Sequence, residues 1–251
     1  MNMLTDTAES HGVNPMFTLY AMAAWGEADM AVLTNDDYMG PYWDGAKLLF
    51  ERIALFGDPS VVHFEPDFWA YAQQQSGDDP ESMRVHVSSL ANDCSDQPDN
   101  LIGMGRCLIA LAREHAPNSL VGFHASVWAS NTPESTGEFL VKIGAREADF
   151  VAIDMLDRDA GCFEAAIDPN CQRGTTGFYW DETNQSSPNF HEHLAWAKTV
   201  YETVGRPILW WQIPFGVPSS TPGGTPGHYR DNRVKYIFEH IDEFIEAGGA
   251  G

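Results

Sequence analysis

The segment His63-Phe64-Glu65-Pro66-Asp67-Phe68-Trp69 gathers an imidazole, two carboxylates and an indole within one short stretch. Glu65 is flanked by apolar Phe64 and Phe68, and such surroundings raise a carboxyl pKa by penalising the charged form. A carboxyl that keeps its proton near neutral pH serves as a general acid. Cleaving a glycosidic bond requires a second carboxylate, and Asp154 and Asp157 in Asp154-Met155-Leu156-Asp157 are the candidates. Their separation from Glu65 would set the stereochemical outcome. Asp181 and Glu182, in Tyr179-Trp180-Asp181-Glu182, read as a solvated pair in a long loop.

Eight tryptophans point to the same class of chemistry. Trp25, Trp69, Trp128, Trp210 and Trp211 fall at or just past the ends of apolar runs, and Trp180 lies in a long connection. Flat indole faces stack on the C–H faces of sugar rings, while carboxylates, amides and imidazoles bind the hydroxyls. The expected substrate-binding set is therefore His63, Asp67, His124, Trp25, Trp69, Trp128, Trp180, Trp211 and Gln212. Trp196, on a helix face, is assigned to packing.

The elements that must position these groups follow from the hydrophobic pattern. Short runs rich in Val, Ile, Phe, Leu and Trp predict strands over Phe17–Ala24, Val61–Glu65, Leu120–Trp128, Phe150–Asp154 and Pro207–Pro214. Periodicity of 3.6 predicts helices over Tyr42–Phe56, Leu101–His115, Glu134–Ile143, Phe190–Val204 and Asp231–Ala247, with a short one over Thr5–His11. Strict alternation implies parallel strands with right-handed crossovers. No Gly-rich loop follows the first strand, and polar and aromatic groups crowd the strand ends. The expected fold is α/β, a (β/α) barrel of the TIM type, here incomplete or abbreviated, with five visible strands in one domain over residues 1–251.

Period two along each strand separates a greasy face from a polar one. His63, Glu65 and Asp67 share a parity opposite Val62 and Phe64. Gly122, His124 and Ser126 stand opposite Val121 and Phe123. Asp154 stands opposite Val151 and Ile153, and Gln212 shares a parity with Trp210. The expected interior holds His63, Glu65, His124, Asp154 and Gln212, and burying such a set costs several kcal/mol unless each member is paired. A structural His–carboxylate network is the bland reading. A metal-dependent barrel hydrolase or isomerase is the alternative enzyme, because His63-x-Glu65-x-Asp67 with His124 and Asp154 offers N and O ligands. The preferred reading assigns no metal ligand and no cofactor.

Composition bounds the partners. Thirty-six acidic residues against 14 basic ones give a net charge of −22, so nucleic acid is excluded as an expected partner. No apolar run approaches the roughly 20 residues of a membrane span, and the opening residues lack the order of a signal peptide. Cys94 with Cys107 and Cys162 with Cys171 form two neighbouring couples, which predicts local disulfides and an extracellular protein whose leader is absent from this chain.

The Glu-Pro strand end at His63-Phe64-Glu65-Pro66-Asp67-Phe68-Trp69, with Trp210-Trp211-Gln212-Ile213-Pro214 later on, resembles the barrel glycoside hydrolases of the cellulase and mannanase type. The resemblance is confined to strand ends. It implies an acid/base Glu ending the fourth strand, matched by Glu65, and a nucleophilic Glu ending the seventh, where this sequence has Gln212 instead. That departure implies an inverting arrangement using Asp154 or Asp157, a partner on a strand not visible here, or a barrel that binds sugar without cutting it.

Overall fold

A computed structural model describes residues 2–155, 180–213, 217–218, 229–230 and 233–251. Five strands, β1 (Met16–Leu19), β2 (Val61–Phe64), β3 (Leu120–Ala125), β4 (Phe150–Asp154) and β5 (Ile208–Trp211), lie in one sheet in the order β1-β2-β3-β4-β5. Sequential order is that of successive barrel strands and differs from doubly wound sheets, whose order reverses at a switch point. The helices are α1 (Asn2–His11), α2 (Asp36–Phe56), α3 (Pro66–Ser76), α4 (Leu101–His115), α5 (Pro133–Lys142), α6 (Phe190–Val204), α7 (Arg233–Glu239) and α8 (Ile241–Glu246). A full eight-stranded barrel is not formed among the described residues. The chain divides into two compact units, Met1–Ala152 with Val200–Pro207, and Ile153–Thr199 with Ile208–Gly251.

In the first unit β1, β2 and β3 are parallel, with Thr18 opposite His63 and His63 opposite Gly122. One face of these strands packs on helices. Phe64 meets Phe50 of α2 edge-on at 6.3 Å and Phe123 at 5.5 Å, and Trp69 of α3 meets Phe123 at 5.2 Å. Each such fully buried aromatic contributes about 1.5–3 kcal/mol. On the other face Gly122 leaves room for Phe150, because a β-carbon there would lie 2.4 Å from the Phe150 ring.

Local signals fix the helices of this unit. Asn35 caps α2 by accepting from the Asp37 amide, and Gly57, left-handed at φ 87°, ends it. Asn100 caps α4 through the Gly103 amide, and Gly103 itself presses on the Pro98 carbonyl where no side chain would fit. A disulfide joins Cys94 to Cys107 of α4, both buried. Arg113 of α4 binds Asp149, whose carboxylate also accepts from the Val121 amide of β3.

The second unit gathers β5, α7, α8 and most of α6, with a two-residue antiparallel pair, β6 (Val217–Pro218) and β7 (Tyr229–Arg230). Its last residues run parallel to β5. Ile208 donates to the Gly248 carbonyl, Ala250 donates to Ile208, and Trp210 donates to Gly251. Gly249 is needed there, since a β-carbon would meet the Trp210 indole nitrogen at 2.3 Å. Phe190 of α6 stacks on Tyr236 of α7 at 3.6 Å.

Several elements depart from the sequence expectation: α2 begins at Asp36, β3 ends at Ala125, β5 ends at Trp211, and α3 has no counterpart among the expected helices. The first strand stops at Leu19 and yields to a 3-10 turn over Met22–Trp25. The second stops at Phe64, and Pro66 opens α3 at a position where its missing N–H costs nothing. Asp67 is therefore in the first turn of a helix and not on a strand face with Glu65. The final helix is broken at His240 into α7 and α8. Cys162 and Cys171 lie outside the described residues.

Candidate active site

Glu65 joins β2 to α3 in the left-handed region, at φ 39° and ψ 69°. A non-glycine residue held there stores about 1–3 kcal/mol of strain and marks functional junctions. Two kinds of bond hold it. Its amide donates to the Leu19 carbonyl of β1, and its carboxylate accepts from the amides of Ala21 at 3.1 Å and Met22 at 3.0 Å. The side chain is 0% exposed. Burial pushes its pKa up to about 8, against the lowering effect of the two amides and Tyr42. Tyr42 lies beside it, and its hydroxyl, closed off from water, has no well-formed hydrogen bond among the described residues. The expected raised pKa is present, but the group carrying it is shut away from solvent and bound to backbone.

This clamp orders the turn after β1. Tyr38 of α2 donates to the Ala21 carbonyl at 2.9 Å, and Trp25 rests edge-on against Tyr38 with ring centroids 5.0 Å apart. Tyr20, immediately before the clamped residues, is 39% exposed and donates to Asp67 Oδ2 at 2.6 Å. That length is typical of a hydroxyl bound to a carboxylate. Burial, then hydrogen bonding to Asp67, then hydrogen bonding to Glu27 hold the Tyr20 hydroxyl above the ordinary tyrosine range. Two half-buried acids, Asp67 at the start of α3 and Glu27 after the 3-10 turn, thus flank one phenol. Glu27 Oε2 is closed off from water.

Aromatic groups border the acids. Trp25 is 59% and Trp128 41% exposed. Tyr71, one helical turn on from Asp67, packs against Trp128 with centroids 4.7 Å apart, and Gln74 of the same helix donates to the Trp128 carbonyl. Gln75 donates to the Ala28 carbonyl and so ties the loop carrying Glu27 to α3. Asp67, Tyr71, Gln74 and Gln75 of α3 thus meet Tyr20, Trp128 and the Ala28 carbonyl.

The remaining expected residues fall elsewhere. His63 and His124 are buried and face each other, Nε2 to Nδ1, at 3.1 Å, and burial holds His63 well below the usual histidine range. Their shared face was legible, but they are closed to a sugar. Trp69 is a core residue whose indole donates to the Phe64 carbonyl, so it offers no stacking surface. Gln212 lies past the end of β5, exposed and left-handed at φ 50°, not in an interior.

Asp154, half-buried at the end of β4, belongs to the second unit. Its charge bears on His193 of α6, which burial nonetheless lowers to about 4, with Arg233 adding to the fall. Arg233 is buried, donates to the Met155 carbonyl at 2.6 Å and lies 3.6 Å over the Trp180 ring. Trp180 is thereby a support for a buried guanidinium, and Trp211 is half-buried. Asp181 turns inward on its own loop, accepting from Thr183, Gln185 and Ser186, which keeps it below the usual carboxylate range. Asp157 lies outside the described residues.

The ligand set proposed for a metal does not assemble. Among the described residues the one His/Asp/Glu group close enough to share an ion is Asp93, Glu114 and His115, and Asp93 there is already paired with Lys47 at 2.8 Å. Sequence reasoning missed Tyr20, Glu27 and Tyr71 as site members. The segment Trp25-Gly26-Glu27 carried the signal for the second, and recognising Pro66 as a helix start would have placed Tyr71 beside Asp67.

No family model matches the sequence, and no curated protein matches it. Among solved structures the chain is similar to the endoglucanase Cel6 from Mycobacterium tuberculosis in complex with methyl-cellobiosyl-4-deoxy-4-thio-β-D-cellobioside, at 14% identity and a TM-score of 0.47. The likeness covers 89% of this chain and 64% of that one, so the chain spans less than two thirds of that neighbour's length.

Proposed function

We propose that the chain is a glycoside hydrolase that acts on an oligo- or polysaccharide at the carboxyl ends of β1 and β2, using Asp67 and Glu27 as its two carboxylates. The observation that carries this reading is the Tyr20 hydroxyl between those acids, 2.6 Å from Asp67 Oδ2, with the exposed Trp25 five residues further along the chain. Glycosidic cleavage needs one carboxyl group to protonate the departing oxygen and a second to act as base or nucleophile. Indole faces and a tyrosine at the rim supply the stacking and hydroxyl contacts that hold a sugar ring. Glu65, which the sequence favoured for the acid, supports this site from behind by fixing the Ala21–Met22 turn.

A buried disulfide suits secretion into an oxidising compartment. No described helix is long and apolar enough to cross a membrane. The test is release of reducing ends from a panel of plant and microbial glycans by the wild type, Asp67→Asn and Glu27→Gln. Turnover by the wild type that falls by about 100-fold or more in both variants is the expected result. Glycan retention without turnover in the wild type would return the non-catalytic binding protein in its place.

A further inference from the structure

Resting on the hydrolase reading, we propose that Tyr71 and Trp128 form a binding subsite for one ring of a linear, uncharged oligosaccharide, a single pyranose unit along α3 from Asp67. Asp67, Tyr71, Gln74 and Gln75 recur at helical spacing on one face of α3, and between Pro66 and Gln75 they alone are not buried. Four residues separate Asp67 from Tyr71, a rise of about 6 Å along the helix axis, which is the span of one pyranose unit. A chain that runs from Asp67 along this face brings its next ring to Tyr71.

Trp128 is fixed at that point and yet left in water. Its ring meets Tyr71 with centroids 4.7 Å apart and planes inclined at 59°, so the two rings make a corner and not a flat stack. The Trp128 carbonyl accepts from Gln74 at 2.7 Å, and the chain turns around it as the Ala129 amide donates to the Ser126 carbonyl. The backbone is thus tied down while Trp128 stays 41% exposed, and the adjoining Val127 is 44% exposed. Holding apolar groups in place without removing them from water gains little for the fold. The apolar C–H face of a sugar ring laid in this corner covers them.

Charge sets the class of sugar. Residues 20–29, 66–76 and 126–132, which carry Tyr20 with Glu27, the whole of α3, and Trp128, contain no Lys, Arg or His. Their charged groups are the acids Glu27, Asp29 and Asp67. Lys142 is tied to the Asp78 carbonyl, past the end of α3. A uronate, sulfated or phosphorylated sugar would meet repulsion from these acids and no cation on the segments that form the subsite. An uncharged pyranose offers its C–H face to the rings and its hydroxyls to the carboxylates.

The probes are linear oligosaccharides of two to six units: the cello-, manno- and xylo-series, the series cut from whichever panel glycan is hydrolysed best, and oligogalacturonides as the charged counterpart. The wild type should gain steeply in kcat/KM with chain length on an uncharged series and hydrolyse oligogalacturonides at least tenfold less well. Trp128→Ala should lose about tenfold in kcat/KM, carried by KM, and the loss should grow with chain length. Tyr71→Ala should show the same dependence, and Trp128→Tyr, which keeps an aromatic ring, should recover most of the loss. Trp128→Ala equal to wild type at every length, or a loss of the same size at every length, overturns this inference while Asp67→Asn reports on the hydrolase reading by itself. Preference for oligogalacturonides overturns the uncharged ligand. A wild type that releases reducing ends from no glycan removes the hydrolase reading and this inference together.

Discussion

Replacing Glu65 by Gln should change stability in opposite directions at low and high pH. In the native protein both carboxylate oxygens accept amides, Ala21 on Oε1 and Met22 on Oε2. Gln keeps one acceptor and turns an N–H group toward the other amide, a loss of about 1–3 kcal/mol for a buried, unsatisfied donor. The neutral acid has no such problem, because its hydroxyl oxygen still accepts and its proton has the neighbouring Tyr42 hydroxyl as a target. Burial raises the pKa of Glu65 from 4.5 to about 8. In that interval the unfolded chain has lost the proton and the folded chain keeps it, so native stability falls as pH rises from 4.5 and levels off above 8. The full penalty is about 5 kcal/mol. Every other titrating group is common to both proteins, so the difference between them isolates position 65. At pH 5 the wild type already bears about 1 kcal/mol of that penalty and should be more stable by up to about 2 kcal/mol, and at pH 9 the variant should be more stable by about 2 kcal/mol or more. Urea unfolding followed by circular dichroism at pH 5, 6.5, 8 and 9 measures both. A stability difference that stays constant over that range would refute the buried-clamp account of Glu65.

Further outcomes follow from other parts of the molecule. Replacing Cys94 and Cys107 together by Ala opens a loop whose ends are 13 residues apart and should cost about 3 kcal/mol in urea unfolding. Gly122→Ala drives a methyl group into the Phe150 ring and should lower stability by about 1–3 kcal/mol or more, read as a fall in Tm. His193, lowered from 6.5 to about 4, is neutral when folded and charged when unfolded through that interval, so native stability is lost as pH falls from 6.5. His193→Phe should flatten that acid limb by about 3 kcal/mol, and an unchanged limb would mean that His193 is not held neutral.

The sequence carried the scaffold better than the site. Runs of β-branched and aromatic residues located all five strands, and the limits of α4 and α6 agree with the 3.6-residue pattern because their apolar faces pack along their whole length. Strand parity put His63 and His124 on one face, and the two rings meet there at 3.1 Å. Parity failed where a strand ended. Past Phe64 the chain turns left-handed at Glu65 and becomes helical at Pro66, so extending period two to Asp67 put that residue on the wrong element. The burial of Glu65 was not legible, because it depends on the Ala21–Met22 turn folding over it from a distant segment. Tyr20 follows the last residue of β1, and its bond to Asp67 exists because α3 begins early. Tryptophan count alone could not separate Trp69, committed to the core, from Trp25 and Trp128 on the surface.

The most direct measurement is a crystal structure of the Glu27→Gln variant soaked with the longest oligosaccharide that the glycan panel identifies as a substrate. The account predicts a sugar ring on the face of Trp25 with its anomeric carbon facing the free oxygen of Asp67, and Tyr20 still bonded to Oδ2. An oligosaccharide bound away from β1 and β2, or one that leaves Asp67 untouched, would contradict it.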